Sequence, residues 1–86
     1  MSQIILITGA SSGMGELTAS FLAKNGYIVY AGTRNIDCEK STVKNIHNIY
    51  IDVTSTQSIK NAVKTIIQEK KKIDVLVNNA GIKKDN

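Results

Sequence analysis

Residues 3–15 join the signature of a buried strand to a glycine-spaced turn without a break. Gln3-Ile4-Ile5-Leu6-Ile7-Thr8 is a nearly continuous aliphatic, β-branched run, which suits a strand covered on both faces. It leads directly into Gly9-Ala10-Ser11-Ser12-Gly13-Met14-Gly15. A helical period follows, with Met14, Leu17, Thr18, Phe21 and Leu22 at i, i+3, i+4, i+7 and i+8, the apolar stripe that such a helix turns toward a core. Asn25-Gly26 closes that helix.

The rest of the chain repeats the alternation. Tyr27-Ile28-Val29-Tyr30-Ala31-Gly32-Thr33 reads as a second strand, and 34–44 as a polar, weakly periodic loop with at most a turn or two of helix. A third strand is expected over 46–51. Asp52-Val53-Thr54-Ser55 then opens a second long helix, with Ile59, Ala62, Val63, Ile66 and Ile67 along one stripe. Thr54 or Ser55 can cap it, and Lys70, Lys71 and Lys72 sit where its dipole favours cations. Ile73-Asp74-Val75-Leu76-Val77-Asn78 is the fourth strand, and Asn79-Ala80-Gly81 turns out of it. Strands joined by crossovers imply a parallel sheet. Right-handed crossovers give the strand order 3-2-1-4, the first half of a doubly wound Rossmann fold of class α/β. Residues 1–86 form one domain in this reading, truncated after the fourth strand.

Composition removes several alternatives. One cysteine, Cys38, rules out a disulfide framework, and one histidine, His47, leaves no Cys/His zinc cluster, so no metal site is expected. No apolar run approaches the roughly 18 residues that span a bilayer, and Met1-Ser2-Gln3-Ile4 lacks the basic start and long apolar core of a signal peptide. A cytoplasmic domain without a membrane partner is the expectation. The formal charge of +4 invites a nucleic-acid reading. Ten of the eleven cations are Lys, however, only three Tyr and one Phe could stack on bases, and no base-reading motif occurs, so no nucleic-acid partner is expected.

Four strand ends carry the candidate chemistry. In the first, Gly9 permits a sharp turn, Gly13 a close backbone approach to a ligand, and Gly15 room for helix against strand. The first amides of the helix, with its dipole, then favour an anion above the turn, and Ser11 and Ser12 add hydroxyl donors for a pyrophosphate. A plain βα loop is the bland alternative, and a Walker A loop is excluded because no Gly-Lys-Ser/Thr follows. At the end of the second strand, a carboxylate would bond both ribose hydroxyls and select NAD. The chain has Gly32-Thr33-Arg34 there, with no acid before Asp37. A guanidinium suits a 2′-phosphate better, so Arg34 favours NADP, the alternative being a solvated surface arginine. After the third strand, Asp52 and Val53 offer a carboxylate and an amide to the edge of an adenine, or a helix-capping Asp-x-Thr, or both. After the fourth, Asn78 and Asn79 can tie strands together or reach a ribose, while Ala80 and Gly81 leave space for a ligand.

Together these motifs resemble the short-chain dehydrogenase/reductase family, specifically the cofactor-binding half of its ketoacyl-reductase-like members. Residues 8–15 match its Thr-Gly-x-x-x-Gly-x-Gly turn, 52–54 its Asp-Val-Thr, and 78–81 its Asn-Asn-Ala-Gly. Ile82-Lys83-Lys84-Asp85-Asn86 is similar to the segment that follows. The resemblance implies that Gly9, Ser11, Ser12, Gly13, Met14 and Gly15 wrap the pyrophosphate and that Arg34 is the basic NADP determinant. It implies further that Asp52 and Val53 hold adenine and that Asn79 meets the cofactor's ribose.

The family's chemistry also uses a Ser and a Tyr-x-x-x-Lys. Tyr27, Tyr30 and Tyr50 are followed four residues on by Ala31, Arg34 and Thr54, so no such pair exists in these 86 residues. No residue is therefore assigned a catalytic role, and hydride transfer by this polypeptide alone is not expected. Its fourth strand is expected to form an open apolar edge that invites self-association or pairing with another chain. The fold is expected to be marginal and stabilised by cofactor or partner, or to form barely at all. Two functions follow: the dinucleotide-binding part of an NADP-dependent oxidoreductase acting on a carbonyl or alcohol, or a non-catalytic nucleotide-binding or interaction module that pairs with an intact relative.

Overall fold

A computed structural model describes residues 2–9, 13–34 and 44–78. The elements run β1 (Ile4–Thr8), α1 (Gly13–Lys24), β2 (Ile28–Thr33), β3 (Ile46–Tyr50), α2 (Thr56–Lys70) and β4 (Val75–Asn78). All strand pairs are parallel, in the order β3-β2-β1-β4 expected from right-handed crossovers.

The unbroken apolar run of β1 has a direct cause. Ile5 and Ile7 join Val29, Ala31, Ala19 and Ala23 under α1. Ile4 and Leu6 point the other way and join Tyr30, Ile51, Ala62 and Ile66 under α2. Each residue of a two-sided strand has a core to enter, so none needs to be polar. Thr8, the last, is also buried, and its hydroxyl donates to Asn78 Oδ1 at 2.8 Å.

The buried face of α1 differs from the one its apolar period predicts. Leu17 and Phe21 are 71% and 65% exposed, whereas Gly15, Ala19 and Ala23 meet the sheet, with Leu22 beside them. Leu and Phe on the sheet side would hold the helix away from β1 and β2, while the Gly/Ala stripe lets it lie close. Both faces of α1 carry apolar residues, so periodicity could not separate them.

For α2 the expected stripe holds at its centre. Ala62 and Ile66 are buried and Val63 packs beside them, while Ile59 and Ile67 at its margin are partly exposed. Ser55 is the N-cap, its Oγ accepting from the Ser58 amide at 3.2 Å. Lys71 closes the helix in the left-handed region, its amide donating to the Ile67 carbonyl at 2.8 Å.

The fourth strand starts two residues later than the apolar run. Asp74 turns its carboxylate onto the Ile4 amide at 2.7 Å and donates its own amide to the Ile4 carbonyl at 2.8 Å. Lys72 pairs with the same carboxylate at 3.1 Å. That reciprocal clamp fixes the amino ends of β1 and β4, as Thr8 and Asn78 fix the carboxyl ends. No helix among the described residues is long and apolar enough to cross a membrane.

Candidate functional site

The register brings the carboxyl ends of all four strands level. Thr8 lies opposite Gly32 and Asn78, and Thr33 lies opposite Tyr50. Beyond these positions come Gly9, Arg34 and Asp52, in a row across β1, β2 and β3. With strands about 4.8 Å apart, Gly9 and Asp52 are separated by roughly 10 Å along the edge, within the span of an adenosine diphosphate.

Gly9 takes φ +68°, where a side chain would be strained, and the chain is helical again from Gly13. The N-terminus of α1 therefore opens onto the same edge, and Gly15 is buried. Ser11 and Ser12 lie outside the described residues, as do Asn79, Ala80 and Gly81, and nothing is described of the Met14 side chain. Arg34 is exposed beyond β2. Val53 is exposed just after Asp52, and Asn78 performs the strand-tying role open to it.

Asp52 is the most fully determined residue of the row. Its Oδ1 accepts from the Thr54 amide at 3.0 Å and from the Thr54 hydroxyl at 2.7 Å. Its own amide donates to Ser58 Oγ at 2.8 Å, and its carbonyl accepts from the Ser55 amide at 2.9 Å. The Thr54 hydroxyl first, then the Thr54 amide, hold the carboxyl below its ordinary range, with the charge of Arg34 adding to them. The cap of α2 is Ser55 rather than Asp52: Oδ1 of Asp52 serves the turn that leads to it, and Oδ2 carries no hydrogen bond among the described residues. Beside Asp52, a groove of about 460 Å³ lined by Tyr50, Ser55, Ser58, Asn61 and Thr65 opens along β3, away from Gly9. No cluster of three potential metal ligands occurs among the described residues.

Two contributors escaped the sequence reading. Ser58 stands six positions after Asp52, a spacing that belongs to no motif. Gly32 lies where Ile51 crosses β2, a Cβ there falling 2.7 Å from Ile51 Cδ1. Its only signal was a glycine inside a strand pattern.

A buried central strand that delivers a left-handed glycine to the start of a helix, at the switch point of a 3-2-1-4 sheet, is the arrangement of a Rossmann-type unit. The chain belongs to the short chain dehydrogenase family, whose model it matches over residues 3–86. It is 45% identical over 80 residues to a 3-ketodihydrosphingosine reductase of Bacteroides thetaiotaomicron, covering 93% of this chain and 29% of that protein. It is 38% identical over 90 residues to the 3-oxoacyl-[acyl-carrier-protein] reductase FabG of Thermotoga maritima, covering 96% of this chain and 37% of that one. Among solved structures, ElxO with NADPH bound superimposes with a TM-score of 0.86 at 32% identity, over 100% of this chain and 38% of its own. An NADH-dependent reductase complexed with NAD gives 0.80 at 28%, over 93% and 36%. The chain spans about a third of the length of the curated relatives it matches.

Proposed function

We propose that these residues are the dinucleotide-binding part of an NADP-preferring oxidoreductase, whose whole form transfers hydride between NADP(H) and a carbonyl or alcohol substrate. The observation that carries this reading is the row Gly9, Arg34 and Asp52 at the carboxyl edge, beside the N-terminus of α1. The residues fit the group: a glycine turn and helix amides for the pyrophosphate, a cation for a 2′-phosphate, and a carboxylate beside an amide for adenine.

Gly9, Ser11, Ser12, Gly13, Met14 and Gly15 would hold the pyrophosphate, Arg34 the 2′-phosphate, Asp52 and Val53 the adenine, and Asn79 the ribose, with Ala80 and Gly81 leaving room beside it. Bound, the cofactor would supply the hydride. The residues of this chain bind and orient it. Since none of the three tyrosines precedes a lysine by four positions, proton transfer to substrate is not assigned to them.

The test is a titration of the chain with NADPH and NADH, followed by nicotinamide fluorescence and melting temperature together. NADPH is expected to bind more tightly, and Arg34→Ala to abolish the difference while leaving NADH unchanged. Equal affinity in the parent chain would refute the NADP preference, and no binding of either would refute the dinucleotide reading.

A second reading, pairing with another copy or an intact relative, is supported by the open edge at β4. Leu76 is 62% exposed on the face of the sheet that carries α2, where Ile59 and Ile67 are also partly exposed. Sedimentation should show an associating chain that Leu76→Lys returns to monomer. A monomer at high micromolar concentration would refute it.

A further inference from the structure

We propose that Thr54 and Ser58 are positioning residues that set the base specificity of the nucleotide site, by presenting Asp52 and Val53 as an acceptor–donor pair to an aminopurine edge. The inference rests on the dinucleotide reading above and adds to it the residues that make the base contact selective.

The argument begins where the sheet ends. Ile51 is the last residue tied to β2, its amide donating to the Thr33 carbonyl at 3.0 Å, and its side chain is buried. Immediately beyond it, Asp52 could swing freely. It does not, because the lead-in and first turn of α2 hold three of its atoms through four hydrogen bonds. Ser58 Oγ takes its amide, the Ser55 amide takes its carbonyl, and the Thr54 amide and hydroxyl share Oδ1. Ser58 is itself anchored, its amide donating to Ser55 Oγ.

This arrangement commits one carboxylate oxygen and spares the other. Among the described residues neither Asp52 Oδ2 nor the Val53 amide has a hydrogen-bond partner, and Val53 is exposed. The two groups are successive along the chain, a fixed acceptor next to a fixed donor. Adenine matches that pair with its exocyclic amino group and the adjacent ring nitrogen. Hypoxanthine inverts both positions, setting a carbonyl against the carboxylate and a ring N–H against the amide. A matched two-point edge contact typically discriminates by about 10- to 100-fold. That discrimination needs a carboxylate that cannot rotate to offer its oxygens differently: the Thr54 hydroxyl and amide hold Oδ1, and Ser58 Oγ holds the backbone amide of the residue that bears it.

The experiment compares NADPH with its deaminated analogue, in which hypoxanthine replaces adenine, binding each to the 86-residue chain by nicotinamide fluorescence. The parent is expected to prefer the adenine cofactor by about 10-fold or more. Thr54→Val and, separately, Ser58→Ala should narrow the ratio to a few-fold, with the loss falling on NADPH, and Thr54→Ser should keep it. A fall in affinity for both cofactors by the same factor would overturn the proposal, since a purely structural role for these hydroxyls predicts that result. A parent chain that binds both cofactors equally also overturns it while leaving the dinucleotide reading intact. Binding of neither overturns both.

Discussion

Substitution of Gly32 by alanine tests how the two layers of the sheet meet beneath the site. A Cβ on Gly32 would lie 2.7 Å from Ile51 Cδ1, 3.2 Å from Ile51 Cγ1 and 3.1 Å from the Ile7 carbonyl oxygen. Carbon atoms in contact prefer about 3.5–4.0 Å, so the end of Ile51 must retreat by roughly 1 Å. It has little room to do so, being 3% exposed in the cluster with Ile4, Leu6, Tyr30 and Ile66. Overpacking of this kind costs about 1–3 kcal/mol. Alanine recovers about 0.5–1 kcal/mol through the lower entropy of its unfolded chain, which leaves a net loss of about 0–2.5 kcal/mol, centred near 1 kcal/mol. Ile51→Val removes Cδ1 and by itself costs about 0.5–1.5 kcal/mol, but in the Gly32→Ala background it also removes the closest contact, at 2.7 Å. Urea unfolding of the four proteins should therefore give a double mutant more stable than additivity predicts, by about 1 kcal/mol. Additive changes within about 0.5 kcal/mol would refute the reasoning.

Tyr30, buried on the α2 face, donates its hydroxyl to Glu69 Oε1 at 2.6 Å and stacks on His47 with centroids 5.1 Å apart. Tyr30→Phe should cost about 1–2 kcal/mol, less than a fully buried charged hydrogen bond because Glu69 is exposed. Burial first, then Glu69, raise the Tyr30 phenol above its ordinary value of about 10. Its contribution is thus complete below about pH 10 and lost as pH rises toward the folded-state value, and Tyr30→Phe should remove that part of the alkaline decline in melting temperature. Asp74 behaves oppositely: the Ile4 amide and then Lys72 hold its carboxyl below the usual range, so its contribution is present above about pH 4 and lost as pH falls. Asp74→Asn should flatten the acid limb of a stability–pH curve, and an unchanged limb would contradict the clamp between β1 and β4.

The two edges of the sheet are chemically unlike. Along β4, Val75 and Leu76 are exposed, and on the α2 face Ile59 and Ile67 are exposed too. Along β3, the groove beside α2 is lined largely by polar residues such as Gln57, Asn61 and Thr65. Apolar surface of the first kind is covered in a stable assembly, whereas the second is compatible with water.

Much of this architecture is local and could be read along the chain. Residues 3–8 are apolar without alternation because β1 enters two cores, and Gly9 marks the point where a strand must reverse into a helix. The order of the strands follows from crossover handedness, which depends on backbone chirality rather than on any particular side chain. Asp52 and Arg34 stood out because strand ends in such a sheet meet at one edge. Other features depend on atoms far apart in sequence. The face that α1 buries was decided by how closely a helix can lie on β1 and β2, and Ala19 and Ala23 allow an approach that Leu17 and Phe21 would prevent. Thr8 and Asn78, Tyr30 and Glu69, and Gly32 and Ile51 meet only after the sheet has formed. Ser58 reaches Asp52 because the first turn of α2 folds back over the end of β3. Periodicity reports which faces are apolar, but only packing in three dimensions selects among them, since the selection turns on distances that no single segment contains.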